Sequence, residues 1–181
     1  VSEPGWSIRR VQVLDEALVE QLADVLIDCV EAGASIGFVQ PLTRERVHSF
    51  WRGAAAGVAA GERVLLVAEQ HGRVVGTVQL LLSMPDNQPH RADVAKMMVH
   101  RRGRRRGLGA ALMRAVEQAA RECGRTLLVL DAVTDGDAAR LYRQLGWVRV
   151  GDIPRYALFP RGGYCSTTVF YRDLGDARGA S

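Results

Sequence analysis

The run "TLLVLD", Thr126 to Asp131, limits what this chain can fold into more than any other stretch. It is continuously apolar where a half-exposed strand would alternate, so it predicts a central strand buried on both faces. Such a strand needs cover on both sides of its sheet, and that requirement selects a layered α/β domain. The helices are legible around it. Asp15 offers an N-cap, and Leu18, Leu22, Val25 and Cys29 follow as one apolar stripe that Gly33 stops. A second helix is predicted from Thr43 through Val47, Phe50, Trp51, Ala54 and Val58 to Gly61, and a third from Leu108 through Leu112, Val116, Ala119 and Cys123. A fourth covers Asp137 to Leu145, with Asp137 as its natural N-cap and Gly146 as its stop. Further strands read at Ser7–Val13, on either side of the His71-Gly72 turn, at Ala92–Val99, at Val148–Ile153 and at Thr167–Asp173. The chain has 181 residues and shows no repeat or linker, so residues 1–181 read as a single domain with 175–181 as a disordered tail.

Charge and composition remove several classes. Twenty-four Lys and Arg against 20 Asp and Glu leave a net charge of only +4, and much of the excess sits in one loop rather than over a face. No apolar stretch approaches the roughly 20 residues that span a bilayer. The opening "VSEPGWSIRR" lacks the charged-then-apolar order of a secretory leader. Cys29, Cys123 and Cys165 lie far apart, with no CxxC and no paired histidines, so neither a metal site nor a disulfide framework is expected. An odd, sparse set of thiols fits a reducing cytoplasm.

The charged loop is "HRRGRRRGLG", His100 to Gly109, lying between a strand and a helix. A strand that hands directly to a helix leaves the first helical N–H groups unpaired at the positive end of the helix dipole. Glycine there lets backbone approach a ligand closely, and arginine matches phosphate geometry, so the turn favours a bound pyrophosphate. A P-loop would need Gly-Lys-Ser/Thr at its end, where this chain has Gly107-Leu108-Gly109. A dinucleotide fingerprint needs a small residue where Leu112 stands, although Asp131 falls where a ribose-binding acid would sit. A solvated basic loop is the plainest alternative. Nucleic-acid binding is disfavoured, since no aromatic residues interleave with the arginines to stack on bases.

The stretch "VHRRGRRRGLGAALM", with Arg104-x-x-Gly107-x-Gly109, resembles the coenzyme-A-binding motif of the GNAT superfamily of N-acetyltransferases. "ARLYRQLGW", Ala139 to Trp147, resembles that family's second landmark, and the order of elements from Ser7 to Asp173 follows the family. "RADVAKMMV" and "IPRYAL" are similar to the branch that includes the tabtoxin-resistance acetyltransferase. The resemblance implies a single α/β domain with a mixed sheet of about seven strands flanked by about four helices, splayed between the fourth and fifth strands. It also implies acetyl-CoA as cofactor. Backbone groups of Met97, Met98 and Val99 would pair with the pantetheine arm, and Arg104, Arg105, Arg106, Gly107, Leu108, Gly109 and Ala110 would surround the pyrophosphate. The methionine side chains have a plain role as core filler.

An alkyl ammonium cannot attack a thioester before it loses a proton, so the chemistry needs a base, an oxyanion donor and a group to meet the departing thiolate. Tyr142 stands at the family's tyrosine position and suits the last role. Asp93, fourteen residues before Gly107, and Asp131, at the end of the central strand, are the candidate bases or ammonium ligands. A backbone N–H of Met98 or Val99 is the candidate oxyanion donor. Lys96 alternates away from Asp93 and is expected to be solvated or ion-paired. Asp135 stands where many relatives carry asparagine, which puts a cofactor contact there in doubt. The acceptor site is expected from "GASIGF" (Gly33 to Phe38), the second helix around Trp51 and the segment holding Tyr156. Acids lining a cleft favour a cationic small-molecule amine. The rivals are a coenzyme-A-binding sensor without turnover, a protein N-terminal or lysine acetyltransferase, and a nucleic-acid-binding module. No membrane partner is expected, and the chain reads as a monomer or as a homodimer through an exposed edge strand.

Overall fold

The computed structural model describes residues 5–175, so the expected tail lies outside the described residues except at Gly175. The elements are β1 (Ser7–Arg10), α1 (Glu16–Glu31), α2 (Arg44–Ala59), β2 (Arg63–Gln70), β3 (Arg73–Leu81), β4 (Arg91–Val99), a 3-10 turn (Arg101–Gly103), α3 (Leu108–Glu122), β5 (Leu127–Val133), α4 (Asp137–Gln144), β6 (Val148–Leu158) and β7 (Tyr164–Asp173). They form a seven-stranded sheet in the order β1-β2-β3-β4-β5-β7-β6. Every neighbouring pair is antiparallel except β4 with β5. Among the described residues, no helix is long and apolar enough to cross a membrane.

Side chains set the helix starts. The Asp15 carboxylate accepts from the Leu18 N–H at 2.8 Å, and the Thr43 hydroxyl accepts from the Arg46 N–H at 3.2 Å. The fourth helix departs from expectation, because Gly136 occupies the cap without a side-chain bond and Asp137 is the first helical residue. There the Asp137 carboxylate still favours the helix dipole and pairs with Arg140 at 2.5 Å.

Two apolar clusters seal the sheet. On one side α1 and α2 bring Leu22, Leu26, Val47 and Trp51 against Leu65, Val67, Val74 and Met98. On the other, α3 and α4 bring Leu112, Val116 and Tyr142 against Ala92, Val94, Leu128, Leu130 and Phe170. Burying each large aliphatic side chain contributes about 1.5–3 kcal/mol before conformational entropy is counted.

The central strand β5 is not buried on both faces. Leu128 and Leu130 are sealed under α3 and α4, whereas Leu127 and Val129 are half-buried and Asp131 is exposed. The cause is where α1 and α2 lie, over β2, β3 and β4. The second face of β5 therefore opens on a cleft. Strands β4 and β5 pair only at Arg91 with Leu127, Ala92 with Leu128 and Asp93 with Val129, and beyond these residues they part. At the far edge, β6 continues past Ile153 through Pro154 to Leu158 and exposes Val148, Val150, Ile153, Tyr156 and Leu158.

Candidate active site

Where β4 and β5 diverge, a cleft of about 1060 Å³ runs from the start of α3 to the loop after α1. Val94 to Val99 form one wall and Asp131 to Val133 the facing one. Arg104, Arg105, Gly107, Leu108, Gly109 and Ala110 close one end, and Gly33 to Gly37 with Tyr156 and Phe159 close the other. Met97, Met98, Val99, Asp131 and Tyr142 also line it, so most of the residues singled out from sequence meet in one place. Asp93, Arg106 and Trp51 do not line it.

The α3 end is built to hold an anion. Arg105 and Gly107 have left-handed backbone, φ 60° and 75°, which turns successive amides in one direction. No amide from Arg105 to Ala110 donates to a described protein group, and the first intrahelical bond of α3 is Ala111 N–H to Gly107 O. A Cβ at Gly107 would meet nothing within 4 Å, so the space in front of these amides is open. At Gly109 a Cβ would lie 3.1 Å from Leu141, which is how α3 and α4 close on either side of the cleft mouth. These residues fit a pyrophosphate, and the free edge of β4 beyond Asp93 fits an extended arm.

Arg104 has a different occupation. Its Nε donates to the Val99 carbonyl at 2.9 Å, and its Nη2 lies 3.7 Å from Asp28 and 3.8 Å from Cys29 Sγ. Asp28, on the last turns of α1 and only 5% exposed, accepts the Arg101 N–H at 2.9 Å and the Arg101 Nε, with His100 Nε2 at 3.6 Å. Burial pushes the Asp28 carboxyl up, and the Arg101 hydrogen bonds outweigh that and hold it below the usual carboxylate range. The charged loop is thus fastened to α1 by a buried acid that sequence reading passed over. A signal existed. An aspartate beside the apolar stripe and near the C-terminal end of a helix opposes the dipole, and it needs a cation to explain it.

Tyr142 is 5% exposed, its ring packed edge-on to Phe170 at 5.9 Å and tilted against Trp147 at 6.0 Å. Its hydroxyl bonds to no described residue. Burial raises this phenol well above its ordinary value, with the Asp131 charge acting the same way, so it stays protonated. Asp131 is exposed to the cleft, and its Oδ2 accepts from the Thr167 hydroxyl at 2.8 Å. Asp93 lies where β4 and β5 are still paired, and it bonds to Arg91 at 2.5 Å. Counting residues back from the glycines placed it too far along, because the splay begins one residue later. Trp51 is fully buried in the core rather than at the acceptor end. Asp135 binds Arg143 at 3.2 Å and takes no part in the cleft.

Lys96 also departs from expectation. It stands at φ 52° in a bulge, since Ala95 pairs with Gln79 but Met98 with Thr77. The extra residue shifts the alternation of β4, so Lys96 turns to the same side as Asp93. Its Nζ donates to the Ile36 carbonyl at 2.8 Å and lies 5.7 Å from the centre of the Phe50 ring. It is neither freely solvated nor ion-paired to any described residue.

An α/β sheet split at its one parallel pair, with free helix-start amides at one end of the split, defines a site for an extended phosphate-bearing ligand. The match of residues 18–147 to the Acetyltransferase (GNAT) family makes the class specific: the chain belongs to that family and is an acetyltransferase of it. Acetyltransferases of this family use acetyl-CoA. The chain is 32% identical over 127 residues to an uncharacterized N-acetyltransferase of the hisH-hisA intergenic region of Azospirillum brasilense, covering 69% of this chain and 74% of that one. Its fold is similar to that of yncA from Salmonella typhimurium, solved with its cofactor acetyl-CoA (TM-score 0.76, 21% identity, 97% of each chain). It is also similar to a ribosomal-protein-alanine N-acetyltransferase from Brucella melitensis (TM-score 0.77, 22% identity, 93% of this chain and 99% of that one).

Proposed function

We propose that this chain transfers the acetyl group of acetyl-CoA directly to the primary amine of a small molecule, in a ternary complex and in the cytoplasm. One observation carries the reading. A single cleft joins the free amides of Arg105 to Ala110 at one end to a phenol and a carboxylate, Tyr142 and Asp131, further in. Free thiols at Cys29, Cys123 and Cys165 fit a reducing compartment. The similarity of "RADVAKMMV" and "IPRYAL" to the tabtoxin-resistance branch points the same way on acceptor size.

Amides from Arg105 to Ala110 hold the pyrophosphate, and the parted edges of β4 and β5 admit the pantetheine arm between them. The bound cofactor supplies an activated acetyl thioester. Asp131, steadied by Thr167, binds the acceptor ammonium and takes its proton through water, since a carboxylate near pKa 4 is too weak a base to act unaided on an amine near 10. A backbone N–H of Met98 or Val99 polarises the thioester carbonyl. As the nitrogen–carbon bond forms and the carbon–sulfur bond breaks, Tyr142 donates a hydrogen bond to the sulfur. Its raised pKa lies far above that of an alkyl thiol, about 8.5, so it stabilises the thiolate rather than surrendering its proton.

The test is calorimetric titration of acetyl-CoA into the natural chain, Gly107→Glu and Gly107→Asn. Asparagine tolerates left-handed backbone and carries no charge, whereas glutamate places a carboxylate in front of the amides. Micromolar binding by the natural protein, kept within about tenfold in Gly107→Asn and lost in folded Gly107→Glu, is expected. Equal binding by all three proteins, or none by the folded natural chain, would overturn the reading.

A further inference from the structure

The acceptor end of the cleft carries a cation as well as an anion, and the mechanism above uses only the anion. Lys96 has three ammonium donors, of which one reaches the Ile36 carbonyl at 2.8 Å. Its remaining neighbours are weak partners: the Phe50 ring at 5.7 Å and the backbone of Gly37. A Cβ at Gly37 would come within 3.3 Å of Nζ, so glycine leaves that side of the ammonium uncovered. Burial pulls the Lys96 ammonium below its ordinary value, and the Asp131 charge acts against this. The two groups therefore feel each other without forming an ion pair. They stand on neighbouring strands that have already parted, so their separation exceeds the roughly 4.8 Å of paired strands. A partly desolvated cation without a counter-ion is costly, and a ligand that brings one removes the cost.

We propose that the acceptor is an amino-carboxylate, an amino acid or close relative, whose ammonium sits at Asp131 and whose carboxylate sits at Lys96. This rests on the acetyltransferase reading and narrows it. Lys96 is then a specificity-determining residue, and the bulge in β4 is what turns it into the acceptor end. A neutral or purely cationic amine leaves Lys96 unpaired, and a second positive charge beside it is repelled.

The experiment follows coenzyme A thiol release with the twenty common α-amino acids, each beside its amide and its decarboxylated amine. In the natural protein at least one acid is expected to have a KM tenfold or more below those of both neutral-ended partners. In Lys96→Met that ratio is expected to fall to about two or less, and in Lys96→Arg to recover most of its value. Circular dichroism melting establishes that the variants are folded, and the acid-to-amide comparison in the natural protein stands without any variant. Turnover confined to amides and decarboxylated amines overturns the inference while leaving the acetyltransferase reading intact. No turnover of any acid, or a ratio that survives in Lys96→Met, overturns it too. Loss of acetyl-CoA binding itself defeats both.

Discussion

The two ends of the cleft are made in opposite ways. The cofactor end comes from one stretch of chain, Met97 to Ala110, and its working groups are backbone amides and a strand edge. The acceptor end is gathered from Gly33–Gly37, Lys96, Asp131, Tyr156–Phe159 and Cys165–Thr167, and its working groups are side chains. Backbone-built sites survive most side-chain substitutions but not changes of backbone shape. Side-chain-built sites survive backbone-neutral changes and are lost one residue at a time. The same sheet thus fixes the donor and leaves the acceptor free to vary.

That contrast breaks first at Tyr142. Tyr142→Phe keeps the ring packed on Phe170 and Trp147 and removes only the hydroxyl. We expect kcat to fall on the order of a hundredfold with acetyl-CoA affinity unchanged, measured by steady-state kinetics beside calorimetry. Asp131→Asn comes next, with kcat/KM for the amine reduced by about ten- to a hundredfold and affinity for the cofactor again unmoved. Should either variant weaken acetyl-CoA binding as much as it slows turnover, the two ends would not be separable.

The cofactor end should respond to its anchor more than to its arginines. Asp28→Ala strips the buried acceptor from Arg101 and its neighbours, so the loop carrying the amides loses its hold on α1. Affinity for acetyl-CoA is expected to drop about tenfold, with a loss of stability of about 3 kcal/mol from the uncompensated charges. Arg105→Ala, by contrast, removes an exposed side chain and leaves the amides in place. A two- to fivefold weakening is expected, in keeping with the modest worth of exposed charges. A larger effect from Arg105 than from Asp28 would mean that the site is held by side chains after all.

The same division governs what could be read from the sequence. Local rules found the helix caps at Asp15 and Thr43, the stripes of α1 to α3 and the glycine-bearing turn before α3, because each depends on neighbours a few residues away. The splay after Asp93 is a fact of strand pairing across the sheet, and spacing along one strand does not reveal it. The bulge at Lys96 defeated simple alternation, since one extra residue moves the following side chains to the other face. Trp51 was placed at the acceptor end by its size and chemistry, but packing against Phe50 at 5.0 Å took it into the core. The acceptor end could not be assembled without knowing that β7 lies beside β5, which is what brings Thr167 to Asp131.

The smallest effect expected lies in the anchor and depends on pH. His100 accepts the Arg102 N–H at its Nδ1, 3.1 Å away, and faces Asp28 through Nε2. Burial holds its pKa below the ordinary value, with Arg102 and Arg101 acting the same way and Asp28 and Asp24 opposing them. The unfolded chain therefore binds a proton at a higher pH than the folded one does. Stability attributable to His100 is complete above about pH 6.5 and declines as the pH falls from there toward the folded value. Asp28 does not cancel this, because its lowered pKa places its own loss of stability further into acid, below the usual carboxylate range. Melting temperature followed from pH 7.5 to 5 should fall by no more than a few degrees from this cause. In His100→Gln, whose amide can still accept from the Arg102 N–H, that part of the slope is expected to vanish. An unchanged slope would place the pH dependence outside the loop and leave Asp28 with the arginines alone as the link between α1 and the cofactor end.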